Sequence, residues 1–276
     1  MPVLFAFFNS LDPAFIYRFA KDTPPLMFTF LKALMALPVA TAAALTWGAN
    51  FSSTTAQAAL LAVVSGVLGP CVGDAAYVRS IQLLGGSLAV IIGFTYIFFA
   101  QAISALVLGE VVTPAAAVGA VVAFTGVAVS TLRRDKYSLS ARGVSLALVA
   151  AICWSLAVVL VKAVQAHFGV APLAVTRIAS ALLASLAASV VLRENRVLRK
   201  RYLVAALVSG TLVWGFGMLL YIQSVYLLGV SVTVVALALT PVLSQLTTRF
   251  FSGERAPARV AVGAVLVAVG IALQVL

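Results

Sequence analysis

The sequence predicts an all-α integral membrane protein of ten transmembrane helices, arranged as two inverted five-helix repeats. Three observations carry that fold. Of 276 residues, 63% are hydrophobic and 9% charged, and the mean hydropathy is +1.16. Soluble domains carry roughly 25% charged residues, so most of this surface must face lipid. The apolar residues fall into ten runs of about 20, the length a helix needs to cross the hydrocarbon, and they lack the two-residue alternation of a membrane barrel. Finally, residues 57–132 lie on 201–276 without a gap, displaced by 144 positions, and about 24 of the 76 pairs are identical.

The runs cover 2–20, 25–47, 56–78, 82–107, 113–132, 142–164, 171–192, 202–226, 230–251 and 256–275. Helices are the solution because a helix satisfies its own backbone in lipid. The first run lacks a basic n-region and a small-residue cleavage site, so it reads as a span and not a removable leader. Its Asn9-Ser10-Leu11-Asp12-Pro13 stretch predicts a break near mid-membrane, because Pro13 withdraws a backbone donor. The second run matches the seventh through Pro25-Leu26 on Pro172-Leu173 and Thr29 on Thr176, displaced by 147, whereas Arg18 falls on Lys162 at 144. A three-residue difference in the first loop accounts for the shift. Runs three and four are joined only by Leu83–Gly86, and runs eight and nine by Leu227–Gly229, which predicts two tight antiparallel hairpins. Runs five and ten carry Gly119 and Gly126, and Gly263 and Gly270, at a spacing that places small residues on one helix face for close approach. Arg133–Arg142 reads as a linker, dividing the chain into a first repeat over 1–132, a connecting loop over 133–141 and a second repeat over 142–276.

Five is odd, so consecutive homologous halves must cross the membrane in opposite senses. The loop charges agree. With both termini outside, the inner loops hold Arg18, Lys21, Arg79, Arg133, Arg134, Lys136, Arg142, Arg193, Arg196, Arg199, Lys200, Arg201, Arg249, Arg255 and Arg259. Only Lys32, Lys162 and Arg177 remain, within or at the edge of spans. The positive-inside rule therefore predicts both termini outside.

The net charge of +11 does not point to nucleic acid, because the basic residues form short clusters between apolar runs, with no basic face. Cys71 and Cys153 lie inside apolar runs without metal-ligand spacing and read as small buried hydrophobes. His167 is the single histidine, so no histidine metal cluster is possible. There is no phosphate-binding glycine loop and no pair of carboxylates on one helix turn, which argues against an enzyme. No metal and no cofactor is expected.

Gly109-Glu110 and Gly253-Glu254 stand at equivalent places before the fifth helix of each half, followed by the paired glycines of that helix. Together with Leu84-Gly85-x-Ser87, Leu228-Gly229-x-Ser231 and Thr240-Pro241, they resemble the EamA-type pattern of the drug/metabolite transporter superfamily, over nearly the whole chain. The resemblance implies ten helices, a central cavity built by spans one to four and six to nine, and transport of small organic solutes. The chain departs from the pattern in three ways. Ile97 stands where Pro241 would be matched, Asn9-Ser10 stands opposite Trp154-Ser155, and the outside termini oppose the expected orientation.

Polar residues within the membrane are costly and mark sites. Asp74, in span three opposite Met218, is the candidate proton carrier, with neutralisation by Arg79 near an interface as the alternative. Candidate substrate-binding residues are Asn9, Asp12, Tyr77, Gln101, Trp154, Ser155, Trp214, Tyr221 and Gln245; Gln223 also offers a hydrogen-bonding group. Lys32, Lys162 and Arg177 read as snorkelling side chains that reach the headgroups, with anion recognition the alternative. Glu110 and Glu254, just before the fifth helix of each half, read as carboxylates at a helix N-terminus, with a gate or proton-carrier role the alternative. Gly119, Gly126, Gly263, Gly270 and Pro241 read as scaffold.

The expected function is a permease, exporting small organic metabolites such as amino acids or amphipathic compounds by alternating access. A carrier of phosphorylated, nucleotide-sugar or lipid-linked substrates is the alternative within transport. A membrane-embedded transferase is the alternative outside it. Expected partners are membrane lipids and a small-molecule substrate, with the chain a monomer or homodimer in a prokaryotic plasma membrane.

Overall fold

The computed structural model describes residues 2–47, 55–108, 114–131, 140–194, 199–237, 239–254 and 257–273, and these residues contain helices and no strands. Helix α1 spans Pro2–Phe19 and α2 spans Pro25–Trp47. Helix α3 joins Ala56–Gly66, a π-helical Val67–Gly73 and Asp74–Leu84. Helix α4 comprises Gly86–Gly93 and Tyr96–Leu108, and α5 is Pro114–Thr131. In the second half α6 is Ala141–Val164 and α7 is Val170–Val191. Helix α8 joins Lys200–Leu207, a π-helical Val208–Phe216 and Gly217–Leu237. Helix α9 comprises Leu239–Thr247 and Thr248–Ser252, and α10 is Ala258–Leu273. Among the described residues, six stretches are long and apolar enough to cross a membrane, with shorter apolar helices at Val121–Ser130 and Ala258–Gly270.

The two repeats interlock instead of standing side by side. Helix α2 packs against α8 of the other half, and α7 packs against α3. Helices α5 and α10 cross where their glycines meet: a Cβ added to Gly126 would lie 2.6 Å from the Gly263 carbonyl oxygen, and one on Gly270 would strike the carbonyl of Gly119. With no side chain there, the backbones approach closely and van der Waals packing can drive association where lipid offers no hydrophobic gain.

The basic loops gather at one end of the bundle. Gln82 Nε2 donates to the carbonyls of Ala20 and Thr23, tying the loop after α3 to that after α1. Asp22 pairs with Arg199 at 3.0 Å and with Arg201. Glu194 accepts the backbone N–H of Met27 at 2.9 Å and so caps α2, while Arg18 donates to the Phe251 carbonyl at 2.6 Å. At the opposite end Tyr226 Oη donates to the carbonyls of Gln165 and Phe168.

Three expectations about local structure are corrected. Pro13 does not break α1, which runs helical through it. The carbonyl that Pro13 leaves without its helical partner is that of Asn9, and the adjoining carbonyls of Ser10 and Ala6 accept hydroxyls of α9, from Thr247 and Thr240, which tie this stretch of α1 to α9. The hairpin read at Leu227–Gly229 is also absent, since helical backbone continues to Leu237. Its first-half counterpart turns at Gly85, whose φ of 89° suits glycine, and a carboxylate holds that turn.

That carboxylate is Glu254, and here lies the third correction. Gly253, at φ 68°, ends α9 in the left-handed conformation. Glu254 then reaches across to the other repeat and accepts the N–H groups of Gly86 at 3.0 Å and Ser87 at 3.2 Å, capping α4. Burial pushes its carboxyl up from the ordinary range, opposed by the N–H groups of Ser87 and Gly86 and by the charge of Lys21. Gly109, Glu110 and most of the 133–141 linker lie outside the described residues.

Candidate functional site

Between the halves lies a cavity of about 140 Å³. The first half contributes Phe5, Asn9 and Asp12 from α1; Gly69, Pro70, Asp74 and Tyr77 from α3; and Phe94 and Tyr96 from α4. The second contributes Trp154, Ala157 and Val158 from α6, Arg177 from α7, and Val213, Trp214, Met218 and Tyr221 from α8. The π-helical stretches Val67–Gly73 and Val208–Phe216 line it, while a third, Thr248–Ser252 in α9, does not. Such bulges widen a helix by one residue per turn and recur at functional sites.

Its chemistry is set by a buried ionic cluster. Lys32 is fully buried, and its Nζ donates to Asp12 Oδ2 at 2.9 Å and to both oxygens of Asp74 at 3.1 Å. Thr29 Oγ1 donates to Asp74 Oδ2 at 3.5 Å. The Lys32 ammonium also sits 4.7 Å from the centre of the Trp214 ring, a favourable cation–π placement. Two carboxylates share one ammonium, so the fully ionised cluster carries a net negative charge. Asp12 Oδ1 is buried without a hydrogen-bond partner, which marks where a proton or a ligand N–H would be accepted.

Aromatic rings frame the rest. Tyr77 packs edge-on to Trp154 at 4.9 Å and Tyr96 to the same ring at 5.9 Å, while Phe5 meets Tyr221 at 5.2 Å. Arg177 is only 6% exposed. Among the described residues its guanidinium has no carboxylate partner, and its Nε has no hydrogen-bond partner.

The geometry also fixes how the repeats correspond. A Cβ on Gly210 would lie 2.5 Å from the Lys32 carbonyl oxygen, and one on Gly66 would lie 2.6 Å from that of Arg177. Met35 is the next neighbour in the first contact and Ser180 in the second, so Lys32 corresponds to Arg177, a displacement of 145 and not 147. Likewise Gly217 faces Phe5 as Gly73 faces Trp154. Thr240 donates to the Ala6 carbonyl, and Ser155 donates to the carbonyl of Tyr96, the residue corresponding to Thr240. Helix α1 therefore corresponds to α6 at 149. Asn9 is matched by Val158 and Asp12 by Val161, and the residue opposite Trp154 is not Asn9 but another aromatic, Phe5. Loops of unequal length hide these registers from an ungapped comparison.

The EamA-like transporter family matches residues 1–132 and 141–276. The chain belongs to that family. A solved structure described only as "Crystal structure of protein" is similar at 21% identity, covering 99% of this chain and 95% of its own, with a TM-score of 0.71; this shows the fold alone. None of the curated proteins matches. Membership makes the chain an integral membrane transporter.

Of the residues singled out from sequence, Asn9, Asp12, Asp74, Tyr77, Trp154, Trp214 and Tyr221 meet at the cavity. Ser155 and Gln245 do not. The Ser155 hydroxyl is spent on the carbonyls of Tyr96 and Ala151, and Gln245 Nε2 donates to the carbonyls of Ser87 and Pro241, joining α9 to α4. The side chain of Gln101 lies outside the described residues. Gln223 faces instead an apolar groove of about 650 Å³ between α2 and α8, lined by Pro38, Val39, Trp47, Phe216 and Leu219.

Two readings of charged residues are overturned. Asp74 is not near an interface beside Arg79; it pairs with Lys32, while Arg79 donates to Gln82. Lys32 and Arg177 do not snorkel. Each stands seven residues inside its helix, roughly 10 Å from the end at 1.5 Å per residue, beyond comfortable reach of the headgroups. That depth was the available signal. Phe5 and Tyr96 were missed because an aromatic residue in an apolar run resembles a lipid-facing one.

Proposed function

We propose that the protein is a secondary transporter of small organic metabolites such as amino acids, working by alternating access in the export direction. The observation that carries this reading is the cavity itself: it lies between inverted halves, is lined from both, and holds buried charge where a scaffold would be apolar. Inverted repeats offer two pseudo-symmetric arrangements of one set of contacts, so rocking one bundle against the other opens the cavity to either side in turn. A volume of about 140 Å³ is below the 300 Å³ or so typical of drug-sized pockets, which favours a small solute.

The Asp12–Lys32–Asp74 cluster is the proposed proton site. One proton cancels its net charge, and its loss re-forms a charged cluster that resists moving through a closed, dry bundle. The orientation proposed is both termini outside, with the basic end of the bundle facing the cytoplasm of a prokaryotic cell, the chain acting as monomer or homodimer. Purified protein in proteoliposomes should exchange labelled amino acids across the bilayer, at a rate that depends on a proton gradient. Absence of exchange for every metabolite class tried would end the reading.

The apolar groove between α2 and α8 supports a second reading, in which an amphipathic or lipid-linked substrate enters sideways from the bilayer. Stabilisation of the purified protein by such lipids, and not by soluble metabolites, would favour it.

A further inference from the structure

Lys32 and Arg177 occupy corresponding positions in the two repeats, each with its backbone carbonyl against a glycine of the other half. Their charged surroundings differ. Lys32 is met by Asp12 and Asp74. In register, Asp12 corresponds to Val161 and Asp74 to Met218, one fully apolar and the other a thioether. Arg177 is thus a buried cation whose built-in counter-ion positions are apolar. It lines the cavity beside Met218 and Tyr221. An arginine so placed is costly unless something else supplies the anion.

Resting on the transporter reading, we infer that Arg177 binds the carboxylate of the transported solute, and that the substrate class is small organic monocarboxylates with an apolar or aromatic remainder, amino acids among them. The planar guanidinium matches a carboxylate in a bidentate fork. The aromatic faces of Trp154, Tyr96 and Tyr221 take the remainder of the solute. A phosphate is disfavoured: a single arginine faces it, while Asp12 and Asp74, which line the same cavity, repel a dianion. Asp12 Oδ1, buried and without a partner, accepts an N–H where the solute carries an amine.

The experiment uses full-length protein in nanodiscs and four probes: L-phenylalanine, 3-phenylpropanoate, phenethylamine and inorganic phosphate. L-phenylalanine and 3-phenylpropanoate should bind and raise the melting temperature, with phosphate much weaker. Arg177→Met should weaken both carboxylates at least tenfold and should not weaken phenethylamine, a cation that gains from losing a like charge in the same cavity. It should not lower the melting temperature of the empty protein, because it removes an unpaired buried charge; a structural arginine would do the reverse. Met218→Asp, which gives Arg177 the counter-ion that Lys32 has in Asp74, should also abolish carboxylate binding while raising the melting temperature. Unchanged carboxylate affinity in both variants overturns the inference, as does equal weakening of phenethylamine, a preference for phosphate, or no binding of any probe to the unmodified protein. Failure of transport is separable. Carboxylates that bind through Arg177 but never cross a bilayer sink the transporter reading alone, whereas probes that cross regardless of Arg177 sink the anchor alone.

Discussion

Glu254 accepts the backbone N–H of Gly86 at 3.0 Å, so a loop of the second repeat caps a helix of the first. The contact fastens α4 to the basic end of the bundle, beside the Ser87–Thr248 hydroxyl pair at 2.9 Å. Glu254→Ala should lower stability by about 0.5–2 kcal/mol, the usual worth of a helix cap, and Glu254→Gln should lose less because its carbonyl oxygen still accepts. Thermal denaturation in detergent reads both. An alanine variant as stable as the parent would show the cap to be idle.

Removing Lys32 leaves two buried carboxylates facing each other without a cation. Lys32→Met should therefore cost about 3–5 kcal/mol, the cost of breaking a buried ion pair from one side. Adding Asp74→Asn and Asp12→Asn to that background should recover much of the loss, since the stranded charges go with it. The comparison needs three denaturation curves. A triple variant no better than Lys32→Met would mean that the cluster contributes through packing, not charge.

If the cluster carries the proton, Asp74→Asn should abolish or flatten the pH dependence of exchange in proteoliposomes while leaving some uncoupled exchange. Asp12→Asn should act in the same direction, because both carboxylates share one ammonium. A pH profile unaltered in both variants removes the proton site from the mechanism.

The α5–α10 crossing tolerates no side chain. Gly126→Leu, aimed at the Gly263 carbonyl from 2.6 Å, should destabilise by at least about 1–3 kcal/mol, the range for overpacking. Gly253→Leu meets open space instead and bears only the strain of its φ of 68°. If the two substitutions cost the same, close helix approach is not what the Gly126 position supplies.

Orientation is open to direct test. In a background with Cys71 and Cys153 replaced by alanine, a cysteine placed at Arg199 should react with membrane-impermeant maleimide only after the cells are opened. Labelling of intact cells would invert the assigned topology.

Hydropathy and repetition made the helix count and the inversion legible, because lipid imposes one rule on every span and duplication preserves it. Asp12, Asp74, Trp154 and Tyr221 could be singled out for a related reason: polar or hydrogen-bonding groups in an apolar run need a purpose. Lys32 and Arg177 were discounted, since a long basic side chain near a span end has a cheaper explanation in snorkelling. Only their depth in the helix argued otherwise.

The sequence by itself determined an all-helical transporter of two inverted halves, through composition, the length of its apolar runs and a 144-residue repeat. The tertiary structure decided which residues correspond and which meet. It matched Lys32 to Arg177 and Phe5 to Trp154 across the repeats, sent Glu254 to cap α4, and closed two aspartates on Lys32 while Val161 and Met218 took the corresponding positions of the second half. The physical reason is that loop lengths shift the register of whole helices without leaving a mark in hydropathy. The contacts that fix register, a glycine against a carbonyl or a carboxylate against an ammonium, form only between segments far apart in the chain.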